Sequence, residues 1–170
     1  METHDSSLLV RPQDGTAFQL ATDFVVIKVR SRQTQGQYAL LDWTVGPQAG
    51  SVGHQHEKFE ETFYLLEGEL DIEVGNEAQR VGPGALVRIP AGIRHAYANP
   101  HASPVRMLVT LVPGGMEECF EQFGVAWDRR AGLRAPVPLD LENYIRVARE
   151  QHHTEYEFDR NPQVEAKGKQ

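Results

Sequence analysis

Cysteine is almost missing from this 170-residue chain: Cys119 is the only one. No disulfide can form within the chain, and a thiolate metal site is excluded, because both draw on more than one sulfur. A reducing compartment is the expectation, and the chain reads as cytoplasmic. Long apolar runs are missing too. None approaches the roughly 20 residues that cross a bilayer, and the opening METHDSSLLVRPQDG has no basic segment leading into an apolar one. Positive charge is in deficit, with 17 Lys and Arg against 24 Asp and Glu, a net charge of -7. Phosphate recognition needs clustered cations, so neither nucleic acid nor a membrane is an expected partner. The remaining composition, 40% hydrophobic and 24% charged, is that of an ordinary folded domain with a core of its own.

What is present is a succession of short β-forming runs divided by Gly and Pro. FVVIKVR (24–30) and QYALLDWTV (37–45) read as strands, and the first alternates so that Val26, Lys28 and Arg30 face water. TFYLLE, ELDIEV (69–74), ALVRIP, His95 to Asn99 and Val105 to Val112 continue the set, with Gly75-Asn76 as a hairpin turn. Even spacing without intervening helices predicts an all-β antiparallel sandwich or barrel. After Pro113-Gly114-Gly115 the period changes. Met116, Cys119, Phe120 and Phe123 form one helical stripe; Asp140 can cap a second helix with Leu141, Tyr144, Ile145 and Ala148 on its apolar face. The division expected is an N-terminal arm (1–17), a β-unit (18–115), two helices packed outside it (116–152) and a flexible tail (153–170).

Chemistry concentrates in GSVGHQHEKFEETFYLLEG (50–68) and GALVRIPAGIRHAYAN (84–99). In His54-x-His56 both imidazoles leave one face of a strand about 7 Å apart, a reach that suits one ion. On an unbroken strand Glu60 shares their side and Glu61 does not; a turn at Glu57-Lys58 would reverse that. His95 follows the turn Pro90-Ala91-Gly92, which can hold it rigidly from another strand.

These residues resemble the two motifs of the cupin superfamily, G-x5-H-x-H-x3,4-E-x6-G and G-x5-P-x-G-x2-H-x3-N. Gly84, Pro90, Gly92, His95 and Asn99 match every fixed position of the second. His54, His56, Glu61 and Gly68 match the first, and the interval from Glu61 to Gly68 selects Glu61 over Glu60. The opening glycine of the first motif falls on Gln48, a departure at a turn. The resemblance implies a double-stranded β-helix, the cupin jelly-roll barrel, with one divalent metal ion inside on His54, His56, Glu61 and His95, and commonly a homodimer. Sulfur-free donors of this kind suit Fe, Mn, Ni, Co or Zn.

Phe63 and Leu65 share the face of Glu61, and Tyr97 shares that of His95, so these three are expected to line an apolar substrate pocket. Trp43 reads as core, Arg88 as an outward strand residue and Arg94 as a rim residue. Such a site implies a small-molecule substrate. The layout resembles small bacterial cupins grouped with quercetin 2,3-dioxygenases, which implies a metal-dependent dioxygenase acting with dioxygen on an enolisable or phenolic aromatic, with Glu61 also as catalytic base. The alternatives are a non-redox metal-dependent isomerase or cyclase, and a binding barrel without turnover.

Overall fold

Turns at Gly, Pro and Asn fold the chain back on itself throughout its first two thirds. The computed structural model describes residues 9–158. In chain order the strands are β1 (Thr16–Leu20), β2 (Asp23–Val29), β3 (Ala39–Val45), β4 (Gly53–His56), β5 (Glu60–Glu67), β6 (Leu70–Val74), β7 (Glu77–Val81), β8 (Leu86–Ile89), β9 (His95–Ala98), β10 (Val105–Val112), β11 (Val125–Ala126) and β12 (Thr154–Glu157); helices α1 (Met116–Phe123) and α2 (Leu141–His152) lie among the last of them. One sheet has the order β11-β1-β2-β3-β10-β5-β8 and the other β12-β4-β9-β6-β7, with every paired ladder antiparallel. The two sheets face each other as a jelly-roll barrel. The β6–β7 hairpin turns at Gly75-Asn76 as expected: Val74 pairs Glu77, and Gly75 has φ of 61°, a conformation that glycine enters without strain.

Period-2 alternation fills the barrel. Phe63 and Leu65 on β5, Leu41 and Val45 on β3, and Met107, Val109 and Leu111 on β10 are all buried between the sheets. The expected wet face of β2 is a correction. Only Lys28 and Arg30 lie at its wet end, while Phe24 and Val26 are buried because the segment after α1 crosses over them. Trp127 packs on Phe24 with ring centroids 4.8 Å apart, and Arg134 Nε donates to Gln19 Oε1 at 2.6 Å. Lys28 Nζ donates to the carbonyls of Arg11, Pro12 and Asp14, which ties down the described part of the N-terminal arm; residues 1–8 of that arm lie outside the described residues.

The helices carry most of the faces their sequences predict, with two departures on α2: Leu141, expected on the apolar face, is exposed, and Val147, not expected there, is buried. Asp140 caps α2 by accepting from Asn143 N at 3.2 Å, and Met116, Cys119, Phe120, Tyr144 and Ala148 are buried. Phe120 meets Trp43 edge-on at 5.2 Å, which fixes α1 against β3. No helix among the described residues is long and apolar enough to cross a membrane.

The reading of 153–170 as a flexible tail needs correction at its start. Thr154–Glu157 is β12, paired with β4 from Thr154↔His56 to Glu157↔Gly53. Without it the outer edge of β4 would leave its backbone groups unpaired, which gives this polar stretch its place. Residues 159–170 lie outside the described residues.

Candidate metal centre

β4 carries His54 and His56 inward from the smaller sheet, and β9, paired to it at His54↔His95, brings His95 alongside. The chain then bends at Glu57-Lys58, where Glu57 N donates to His153 O, and enters β5 on the opposite sheet. That bend reverses the side-chain parity. Glu61 points in, while Glu60 faces out and pairs with the guanidinium of Arg88. Potential donor atoms of His54, His56, Glu61 and His95 lie within 4.8 Å of one another, and all four residues are buried.

The partners of the outer ring nitrogens decide what the inner ones offer. His54 Nδ1 lies 2.9 Å from Val52 O, and His95 Nδ1 lies 3.1 Å from Ile93 O. A carbonyl only accepts, so each Nδ1 carries a proton, and Nε2 is the atom each ring turns into the site, bare whenever the ring is neutral. His56 Nδ1 lies 3.0 Å from Thr154 Oγ1. That hydroxyl has its own acceptors in His152 O and Met116 Sδ, so it is free to receive the proton of His56. His95 Nε2 and His56 Nε2 then stand 3.0 and 3.4 Å from Glu61 Oε2. Lone pairs of three imidazoles and an anionic oxygen thus converge, an arrangement that repels itself unless a cation, either a proton or a metal ion, sits among them. Three nitrogens, one oxygen and no sulfur fit a borderline divalent ion.

Electrostatics agree with this. Where a proton is that cation, burial still works against ionisation of Glu61, but the hydrogen bonds that His56 and His95 then donate outweigh it and hold the carboxyl well below its ordinary range. His54 is pushed well below the usual imidazole range, first by burial and then by the charges of His95 and His56, so it stays neutral and available as a donor. The rings are packed from behind. Phe59 stacks on His56 at 4.0 Å, and Tyr156 stacks on His54 at 5.4 Å with its hydroxyl on Tyr144 Oη at 3.0 Å.

A cavity of about 230 Å³ opens onto this cluster. His54, His56 and Glu61 reach it; His95 is sealed behind them, with no exposed surface. Phe63 and Tyr97 stand in its wall as expected. Leu65 does not: two residues further along β5 it is closed into the core. Trp43 is both core and wall, and Phe120, Tyr144 and Tyr156 make the helices and β12 part of the cavity. Arg88 is exposed as expected, whereas Arg94 is more than a rim residue. Its guanidinium lies against Gly53, where a Cβ would stand 2.3 Å away, and it bridges Glu73 on β6 and Glu157 on β12.

Sequence reasoning missed Thr154, Tyr156 and Asp23. The first two belong to a polar stretch with no periodic signal. Asp23 left one trace, an acid at the head of an otherwise apolar run. Asn99, matched only as a motif position, clamps the loop after β9 by donating to Gly46 O at 2.9 Å and Ser103 O at 2.8 Å.

Fold and cluster together define a jelly-roll barrel with an internal three-histidine, one-carboxylate group. The chain belongs to the cupin superfamily: the family model described as Cupin domain matches residues 41–111, a window that contains all four converging side chains. Over 121 residues the chain is 32% identical to quercetin 2,3-dioxygenase of Bacillus subtilis (strain 168), a match that takes in 70% of this chain and 35% of that protein's length. Among solved structures, KdgF from Halomonas sp. superposes with a TM-score of 0.59 at 14% identity, covering 66% of this chain and 98% of that one. The polyketide cyclase RemF from Streptomyces resistomycificus superposes at 0.54 with 24% identity, covering 62% of this chain and 79% of its own. These two likenesses are likenesses of fold.

Proposed function

We propose that the chain is a metal-dependent dioxygenase acting on an enolisable or phenolic aromatic small molecule. The observation that carries this reading is the convergence of three bare imidazole nitrogens and one carboxylate oxygen within 4.8 Å beside an apolar, aromatic-walled cavity. The identity to a quercetin 2,3-dioxygenase supports it over the part of that protein which the chain spans.

His54, His56, Glu61 and His95 would hold one divalent ion. Once bound, such an ion lowers the pKa of an enol or phenol oxygen and, if redox-active, exchanges electrons with dioxygen. The chain's own residues do the rest. Phe63, Trp43 and Phe120 present apolar faces to a ring and exclude water from it. Glu61 accepts the proton of the substrate hydroxyl at the oxygen turned away from the imidazoles. The bonds that the ring Nδ1 atoms donate to Val52, Ile93 and Thr154 keep the three rings aimed while this happens.

Oxygen uptake by the metal-loaded protein, measured with a flavonol in excess, tests the reading. One dioxygen consumed per substrate, with both oxygen atoms recovered in product under labelled oxygen, is the expected result. Substrate conversion without oxygen uptake would establish the isomerase or cyclase alternative. Binding without conversion would establish a barrel that only holds its ligand.

A further inference from the structure

The cavity holds a second buried acid away from the cluster. Asp23, at the head of β2, is 5% exposed and lines the cavity with Trp43 and Tyr97. Its partners are neutral donors. Oδ2 accepts from Trp43 Nε1 at 2.8 Å and from Tyr97 Oη at 2.7 Å; Oδ1 accepts from Thr22 Oγ1 at 3.2 Å, and the Gly46 backbone adds a further bond. Gly46 is what lets the β1–β2 turn come so close, since a Cβ there would stand 2.5 Å from Thr22 O. A carboxylate kept out of water is costly unless its lone pairs are filled, and these are filled from the cavity wall.

The consequence falls on Tyr97. A phenol has one proton, and here it is given to Asp23. Trp43 has one donor, also given to Asp23. Of the four polar aromatic side chains in the wall, Trp43, Tyr97, Tyr144 and Tyr156, the two beside Asp23 therefore present no donor; Tyr97 offers the lone pairs of its oxygen. Tyr97 lies two residues after His95 on β9, about 7 Å along the strand. Phe63 spans that interval, its ring 6.4 Å from His95 and 5.9 Å from Tyr97.

We infer that Tyr97, fixed by Asp23, is a hydrogen-bond acceptor for a hydroxyl carried by the ligand's ring system, so that the cavity selects aromatics with a second hydroxyl remote from the oxygen that approaches the His–Glu cluster. The inference rests on the aromatic-substrate reading above and adds the specificity determinant to it. Tyr97 touches the ligand; Asp23 is a positioning residue that sets the direction of the bond.

Two flavonols test it. Quercetin and 3-hydroxyflavone share the hydroxy-ketone group, and only quercetin has further ring hydroxyls. Their affinities for the metal-loaded protein are measured without oxygen, by the change in flavonol absorption. The wild type should prefer quercetin by about tenfold or more. Tyr97→Phe should bring that ratio close to unity through weaker quercetin binding, with 3-hydroxyflavone affinity little changed. Asp23→Asn should lower the ratio at unchanged metal content, whereas a merely structural Asp23 would weaken both flavonols alike. If Asp23→Asn does not fold, Tyr97→Phe decides alone. An unchanged ratio in Tyr97→Phe overturns the inference and leaves the dioxygenase reading standing. Failure of both flavonols to bind the wild type overturns the aromatic-substrate reading, and the inference with it.

Discussion

Glu60 and Glu61 are adjacent, chemically alike and opposite in fate. Glu60 lies on the outside against Arg88, and Glu61 lies inside against His56 and His95. Glu61→Gln should abolish turnover, by about 100-fold or more, while part of the metal is kept, because an amide oxygen still coordinates but no longer takes a proton. Glu60→Gln should stay near wild type in both. Steady-state rates and metal content of the two variants check this, and a larger loss at Glu60 would contradict the assignment. Parity on a straight strand favours Glu60; the motif interval to Gly68 selected Glu61, and the bend at Glu57-Lys58 is the physical reason the interval was right. His54 adds a pH dependence. Its folded-state pKa lies well below the ordinary 6.5, so the unfolded chain takes up a proton first as pH falls. The stability it contributes is present above about pH 6.5 and is lost below it, by up to about 1.4 kcal/mol per pH unit, and the depressed Glu61 carboxyl adds a further loss only below the ordinary carboxylate range. Urea unfolding of the metal-free protein should therefore show lower stability at pH 5.5 than at pH 7.5; a flat profile would contradict a neutral, buried His54.

At the scale of elements, β12 changes the picture most. It belongs to a stretch whose polar composition gives no periodic signal, yet it completes the edge of β4, places Thr154 beneath His56 and lays Tyr156 on His54. A four-residue strand is too short for alternation to reveal, and its register is imposed by the partner it covers. Helices α1 and α2, by contrast, were legible from their stripes and from Asp140, because an amphipathic face and a cap are local features. What their stripes do not say is that Phe120 and Tyr144 end in the cavity wall. Thr154→Val keeps the shape of the side chain and removes the acceptor for His56 Nδ1. It should weaken metal affinity about 10- to 100-fold, as loss of an orienting partner does elsewhere, while Thr154→Ser should stay close to wild type. Competition against a chelator measures both, and equal affinity in all three proteins would show that β12 plays no part in aiming His56.

At the scale of the whole molecule, the antiparallel β architecture was readable because Gly and Pro mark nearly every reversal. Its closure into a jelly roll was not derivable from periodicity and came from resemblance to the cupin motifs. The wet face read for β2 failed at Val26 for a reason of the same scale: the segment holding Trp127, far along the chain from β2, returns to pack on Phe24 and covers a strand that locally alternates. The two sheets together, rather than either one, build the candidate centre, since its three histidines come from the smaller sheet and Glu61 comes from the larger. The proposed metal binding would therefore be a property of the assembled barrel. Elemental analysis of the protein purified without a histidine tag tests this most directly, with His95→Ala beside it. The wild type should carry about one divalent transition-metal ion per chain, and His95→Ala should carry almost none. A wild type that holds no metal even after reconstitution, or a His95→Ala variant that keeps one tight ion per chain, would contradict the metal centre.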